Sequence, residues 1–162
     1  MLIRPVRSED RAPVWSIIGP VIRAGETYTL DPNINEADAW GYWQGGDKET
    51  FVIEQDGEVV GTYYMRPNQA GGGAHVCNCG YMTSGAAVGR GVAREMCRHS
   101  LDHARARGYR AMQFNFVVST NERAVRLWHG MGFETVGRLP LAFNHPTHGY
   151  VDALVLFQAL SP

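Results

Sequence analysis

Apolar residues recur along this chain in two rhythms. Val14, Ile17, Ile18, Val21 and Ile22 fall at helical spacing. So do Ala93, Cys97, Leu101 and Ala104, with Arg90, Arg94 and Arg98 on another face of the same segment, which predicts a helix to about Arg107. Shorter apolar runs read as strands: Leu2 to Val6, Phe51 to Glu54, Val59 to Met65, Ala74 to Met82, Ala111 to Val118, Phe133 to Gly137 and Tyr150 to Leu160. Asp56-Gly57 predicts a tight hairpin between two of them. Gly108 marks the end of the long helix, and Ser119-Thr120-Asn121 offers N-caps for a further helix to about Met131. Gly25 to Gly46 is less regular, with a short helix near Glu36 to Trp43, and Asn68 to Gly73 reads as a flexible loop. This order implies an α/β (α+β) protein: one mixed sheet with helices on its faces. Its 162 residues suffice for a single domain, 1–162.

Charge and cysteine content narrow the class. The formal net charge of −1 offers no bulk attraction to nucleic acid or to a membrane surface. Val151 to Leu160 is too short and too interrupted to span a bilayer, and the opening residues carry no signal segment. Three cysteines make no disulfide framework, so a reducing cytoplasm is the expected location. Cys77 and Cys79 share a strand face but lack a second ligand pair, so no metal is expected. The chain has a single lysine, Lys48, and eight of its fourteen arginines lie between Arg90 and Arg126.

Those arginines surround Val88-Gly89-Arg90-Gly91-Val92-Ala93, a glycine-rich turn between a strand and a helix. Such a turn aims backbone N–H groups at the positive end of the helix dipole, where a phosphate or pyrophosphate binds. A P-loop needs Lys-Ser/Thr after its last glycine, but Val92-Ala93-Arg94 follows Gly91. A dinucleotide fingerprint needs a third glycine, and this turn sits mid-chain rather than after the first strand.

A third pattern fits. The turn, followed by Asn121-Glu122-Arg123-Ala124-Val125-Arg126-Leu127-Trp128 and then Gly132-Phe133, resembles the acyl-coenzyme A loop and following helix of the GNAT N-acetyltransferase superfamily. Ile3-Arg4-Pro5 and the Asp56–Gly61 hairpin are also typical, so the resemblance runs over nearly the whole chain. More narrowly, Val76-Cys77-Asn78, Phe114-Asn115 and Gly149-Tyr150-Val151-Asp152-Ala153 resemble fungal acetyltransferases of proline analogues such as azetidine-2-carboxylate.

The resemblance implies the GNAT fold and direct transfer of an acetyl group from acetyl-CoA to the amine of a small molecule, an amino or imino acid such as a proline analogue. It implies that the backbone from Gly89 to Ala93 holds the pyrophosphate and that Tyr81, Met82 and Thr83 pair with the pantetheine arm as an added strand does. Asn121 would contact the coenzyme, Trp128 would pack on its arm, and Val88 stands where the family usually has Gln or Arg. Asn78 and Asn115, one on each of two central strands, are the expected catalytic and substrate-holding amides, Asn78 as the main catalytic group and Asn115 as the anchor for the substrate carboxylate, with Tyr28 and Trp43 walling the acceptor pocket. Trp128 also replaces a tyrosine that protonates the departing thiolate in many members, and indole cannot serve as that acid. No carboxylate stands in the strand before the loop; His75, His145 and His148 remain as candidate bases or pocket borders. A homodimer is an expectation by family analogy. Acetylation of a larger amine, such as an antibiotic or a peptide N-terminus, and a non-catalytic acyl-CoA-binding module stay open at this point.

Overall fold

In the computed structural model, which describes residues 1–160, the elements follow in the order β1 (Leu2–Pro5), α1 (Arg11–Ala24), α2 (Glu36–Gln44), β2 (Glu49–Gln55), β3 (Glu58–Pro67), β4 (Val76–Thr83), α3 (Val92–Ala106), β5 (Ala111–Val118), α4 (Glu122–Gly130), β6 (Glu134–His145) and β7 (Gly149–Ala159). Ser161 and Pro162 of the expected domain lie outside the described residues. The strands form one mixed sheet in the order β1-β2-β3-β4-β5-β7-β6. Every neighbouring pair is antiparallel except β4 and β5.

Alternation along the central strands divides the core into two layers. Phe51, Ile53, Tyr63, Met65, Cys77 and Cys79 face one side and pack with Met96, Cys97 and Leu101 of α3. Val52, Tyr64 and Met82 face the other and pack with Val14, Ile18 and Ile22 of α1 and Trp43 of α2. Gly61 lets α3 lie close to the sheet, because a Cβ there would stand 2.9 Å from Val92 Cγ1. The hairpin turn has positive φ at both Asp56 (53°) and Gly57 (83°), which matches the twist of the flanking strands.

One strand runs further than the sequence predicts. β6 continues past Gly137 to His145, where a turn returns the chain into β7. Its pairing with β7 slips twice, around Val136 and between Leu139 and Phe143, and Leu141 takes φ of 52°. These irregularities, together with Pro140, break the period-2 pattern that identifies a strand. Asp152 supports the bulge, accepting from the Leu141 N–H at 2.9 Å and from Arg138 at 2.7 Å.

Candidate active site

The parallel pair at the centre of the sheet is the origin of the site. β4 and β5 are joined at Val76–Ala111 and Cys77–Met112 only, and beyond these they separate. From Asn78 to Thr83, β4 is paired on its β3 side alone, so its other edge is open. β5 turns away because its pairing with β7 slips between Phe114 and Val117, which places Asn115 and Phe116 in a bulge. The opening is a cavity of about 470 Å³, lined by both strands, by Tyr28, Tyr42 and Tyr64, and by Asn121, Arg123 and Trp128 of the α4 region.

One end of this cavity is built from backbone. Gly89 and Gly91 take φ of 88° and 82°, a conformation that L side chains rarely adopt, and Gly91 caps α3. The amides of Gly89, Gly91, Val92, Ala93 and Arg94 find no acceptor among the described backbone hydrogen bonds, as expected of a helix start. The amides of Val88 and Arg90 are taken, by the carbonyls of Gly85 (3.4 Å) and Ala87 (3.2 Å). Val88 and Ala93 line the cavity, whereas Gly89, Arg90, Gly91 and Val92 form the turn between them. Arg123 supplies the positive charge here, its Nη2 standing 3.4 Å from the position of a Cβ on Gly89. In the sequence Arg90 lies within the turn and Arg123 outside it; the signal for Arg123 is its place two residues after the helix cap Asn121. Asn121 lines the cavity and accepts the Ala124 N–H at 3.4 Å, so one of its acceptor sites is spent on the cap.

Along the cavity Tyr81, Met82 and Thr83 present the open edge of β4. The Tyr28 hydroxyl donates to the Tyr81 carbonyl at 2.9 Å, tying the α1–α2 connection across this edge. Trp128 is 8% exposed and does two jobs, packing on Tyr81 and Phe114 at ring-centroid distances of 5.0 and 5.1 Å while lining the cavity.

The other end is built from side chains. Asn78 Nδ2 donates to the Gln113 carbonyl at 2.9 Å, at the point where the strands part. That bond fixes the amide, and no protein group donates to its Oδ1 in the described hydrogen bonds. Asn115 is exposed, donates to Asn68 Oδ1 at 2.6 Å and accepts from Gln113 Nε2 at 2.9 Å. The two asparagines therefore do not bond each other; each is braced by a different neighbour. The Tyr64 ring covers Gly80, where a Cβ would come within 2.7 Å of it.

Three expected residues lie elsewhere. Trp43 does not wall the pocket: it is fully buried, with Nε1 donating to Thr62 Oγ1 at 2.9 Å, and Tyr42 and Tyr64 line the cavity in its place. Adjacent residues on a helix point about 100° apart, so α2 presents Trp43 to the inner layer and its neighbour Tyr42 to the cavity. His75 is exposed and outside the cavity. His145 is buried at the β6–β7 turn, its Nδ1 accepting the amides of Thr147 (3.2 Å) and His148 (3.3 Å), a structural use away from the site.

No Asp, Glu or His lines the cavity, and among the described residues no group of three metal-ligating side chains gathers anywhere. Burial pushes the Cys79 thiol and the Tyr28, Tyr64 and Tyr81 hydroxyls up from their ordinary values, so they stay neutral.

A sheet parted between parallel strands, with free amides at a helix start on one side, sets an open strand edge beside an anion-binding turn. The chain belongs to the acetyltransferase (GNAT) family, whose model matches residues 22–133. It is an N-acetyltransferase of the acetyl-CoA-dependent kind that this family comprises. A GCN5-related N-acetyltransferase from Kribbella flavida superposes with a TM-score of 0.92 at 40% identity, over 98% of this chain and 96% of that one. N-acetyltransferase aca1 of Schizosaccharomyces pombe is 27% identical over 151 residues, 83% of this chain and 72% of its own length. The fold is shared with yncA of Salmonella typhimurium, solved with its cofactor acetyl-CoA, at a TM-score of 0.84 and 21% identity over all of this chain and 95% of that one.

Proposed function

We propose that this enzyme acetylates the amine of a small amino or imino acid, such as azetidine-2-carboxylate. The observation that carries the reading is the cavity itself: about 470 Å³, with the amides of Asn78 and Asn115 and no carboxylate in its lining. A polycationic acceptor would find no counter-charge there, whereas a zwitterion needs none for its ammonium once that has lost its proton. The short segments around Asn78 and Asn115 that resemble proline-analogue acetyltransferases support the same class.

In this reading the free amides of Gly89, Gly91, Val92 and Ala93, with Arg123, hold the pyrophosphate of acetyl-CoA. The open edge of β4 from Tyr81 to Thr83 pairs with the pantetheine arm, and Trp128 packs beside it. Asn78, fixed by Gln113, offers its Oδ1 to an N–H of the neutral acceptor amine and so sets the angle of attack. The new N–C bond forms as the C–S bond breaks. The amine proton leaves through water, and the thiol of coenzyme A, with a pKa near 8.5, departs without a dedicated acid.

The test is thiol release from acetyl-CoA with a panel of amines. We expect turnover with azetidine-2-carboxylate or cis-4-hydroxyproline and little with polyamines or a peptide N-terminus. The reverse order of preference overturns the acceptor assignment.

A further inference from the structure

The single lysine of the chain stands beside the acceptor end: it is not itself a lining residue of the cavity, but both rings that its ammonium touches are. We infer that Lys48 is the residue that recognises the carboxylate of the acceptor. The inference deepens the proposed function and rests on it.

Lys48 lies just before β2, on the same side of the sheet as Thr50 and Tyr64, by the alternation that pairs Thr50 with Tyr64. Its Nζ sits 4.4 Å from the centroid of the Tyr42 ring and 5.3 Å from that of Tyr64. Both rings line the cavity, and Tyr64 covers Gly80, two residues along β4 from Asn78. The two rings hold the ammonium by their faces, which fixes it in place and leaves its N–H groups uncommitted. No ion pair or hydrogen bond among the described residues uses Lys48, although Arg66 beside it is paired with Asp47 at 3.2 Å.

Other groups at this end cannot do the same work. Asn115 has spent its oxygen and one N–H on Gln113 and Asn68, and an amide carries no charge. Arg123 belongs to the opposite end, beside Gly89. Burial, and after it Arg66, lower the Lys48 pKa while Asp47 raises it, so a bound carboxylate would restore the stabilisation that burial removes from the ammonium.

The experiment compares an acceptor carboxylate with its own carboxamide, azetidine-2-carboxylate against azetidine-2-carboxamide. The wild-type enzyme should prefer the carboxylate, and Lys48→Met should lower that preference, the ratio of the two kcat/KM values, by about ten- to a hundredfold through KM. Lys48→Arg, which keeps the charge, should retain most of it. Wild-type turnover with a preference unchanged in Lys48→Met overturns the role of Lys48 alone. Absence of wild-type turnover with every amino and imino acid tried overturns the acceptor reading, and the role of Lys48 with it.

Discussion

Under the proposed function, the two ends of the cavity recognise their ligands by different means. The donor end uses main chain: free amides at the start of α3, an open strand edge, and two glycines at positive φ that make the turn possible. The acceptor end uses side chains from separate parts of the chain, Tyr28, Tyr42, Tyr64, Asn78 and Asn115, braced by Asn68 and Gln113. Main-chain recognition tolerates exchange of neighbouring side chains, as Val88 in place of a polar residue illustrates. Side-chain recognition changes with every substitution, so one scaffold can keep its donor while exchanging its acceptor.

If the ends are separable, substitutions should split the two KM values. Asn78→Ala should have the largest effect, lowering kcat/KM for the acceptor by about a hundredfold while leaving the KM for acetyl-CoA within about twofold. Steady-state kinetics with both substrates varied reads this out, and an equal rise in both KM values breaks the separation. Next comes pH. The cavity has no base, and burial keeps Cys79 and Tyr81 protonated, so no group there gains charge as pH rises through neutrality. Acceptor kcat/KM should then climb about tenfold per unit up to the pKa of the acceptor's own amine, with one break. A second break near neutral pH would reveal a base.

Gly91→Ala probes the donor end with strain alone, since nothing stands within 4 Å of the new Cβ. A positive φ there should cost about 1 kcal/mol and raise the KM for acetyl-CoA about fivefold, with the acceptor KM unmoved. Arg123→Met should have the smallest effect, weakening coenzyme A binding about threefold at low ionic strength and less as salt is added. Calorimetric titration at two salt concentrations checks it; a salt-independent loss would assign Arg123 to packing.

The glycine turn at the start of α3 was legible in the sequence because glycine spacing and helix caps are local signals. Asp56-Gly57, Gly108 and Asn121 predicted their turns and caps for the same reason, and β5 falls on the predicted Ala111–Val118. The acceptor end was legible only in part. Asn78 and Asn115 stood out as polar residues in apolar strands. Tyr42 was hidden beside Trp43, because a nine-residue helix rich in aromatics shows no clear apolar face. Asn68 was hidden in a loop until the fold brought it to Asn115. Lys48 says nothing in sequence beyond being the single lysine, since its meaning comes from two rings contributed by α2 and β3.

The two residue pairs that join β4 to β5 have a mechanical consequence. They make the sheet a four-stranded and a three-stranded ribbon held by a short seam, with the remaining length of the junction open to ligand. Under the proposed function, a pantetheine laid in that opening would complete the missing ladder and act as a rivet between the ribbons. At a hundred times its dissociation constant, any ligand specific to the folded state adds about 2.7 kcal/mol of stability. In this molecule that increment should fall unevenly. Amide exchange should slow most along β5 and β7, the ribbon whose backbone pairing with the rest of the sheet runs through that seam alone.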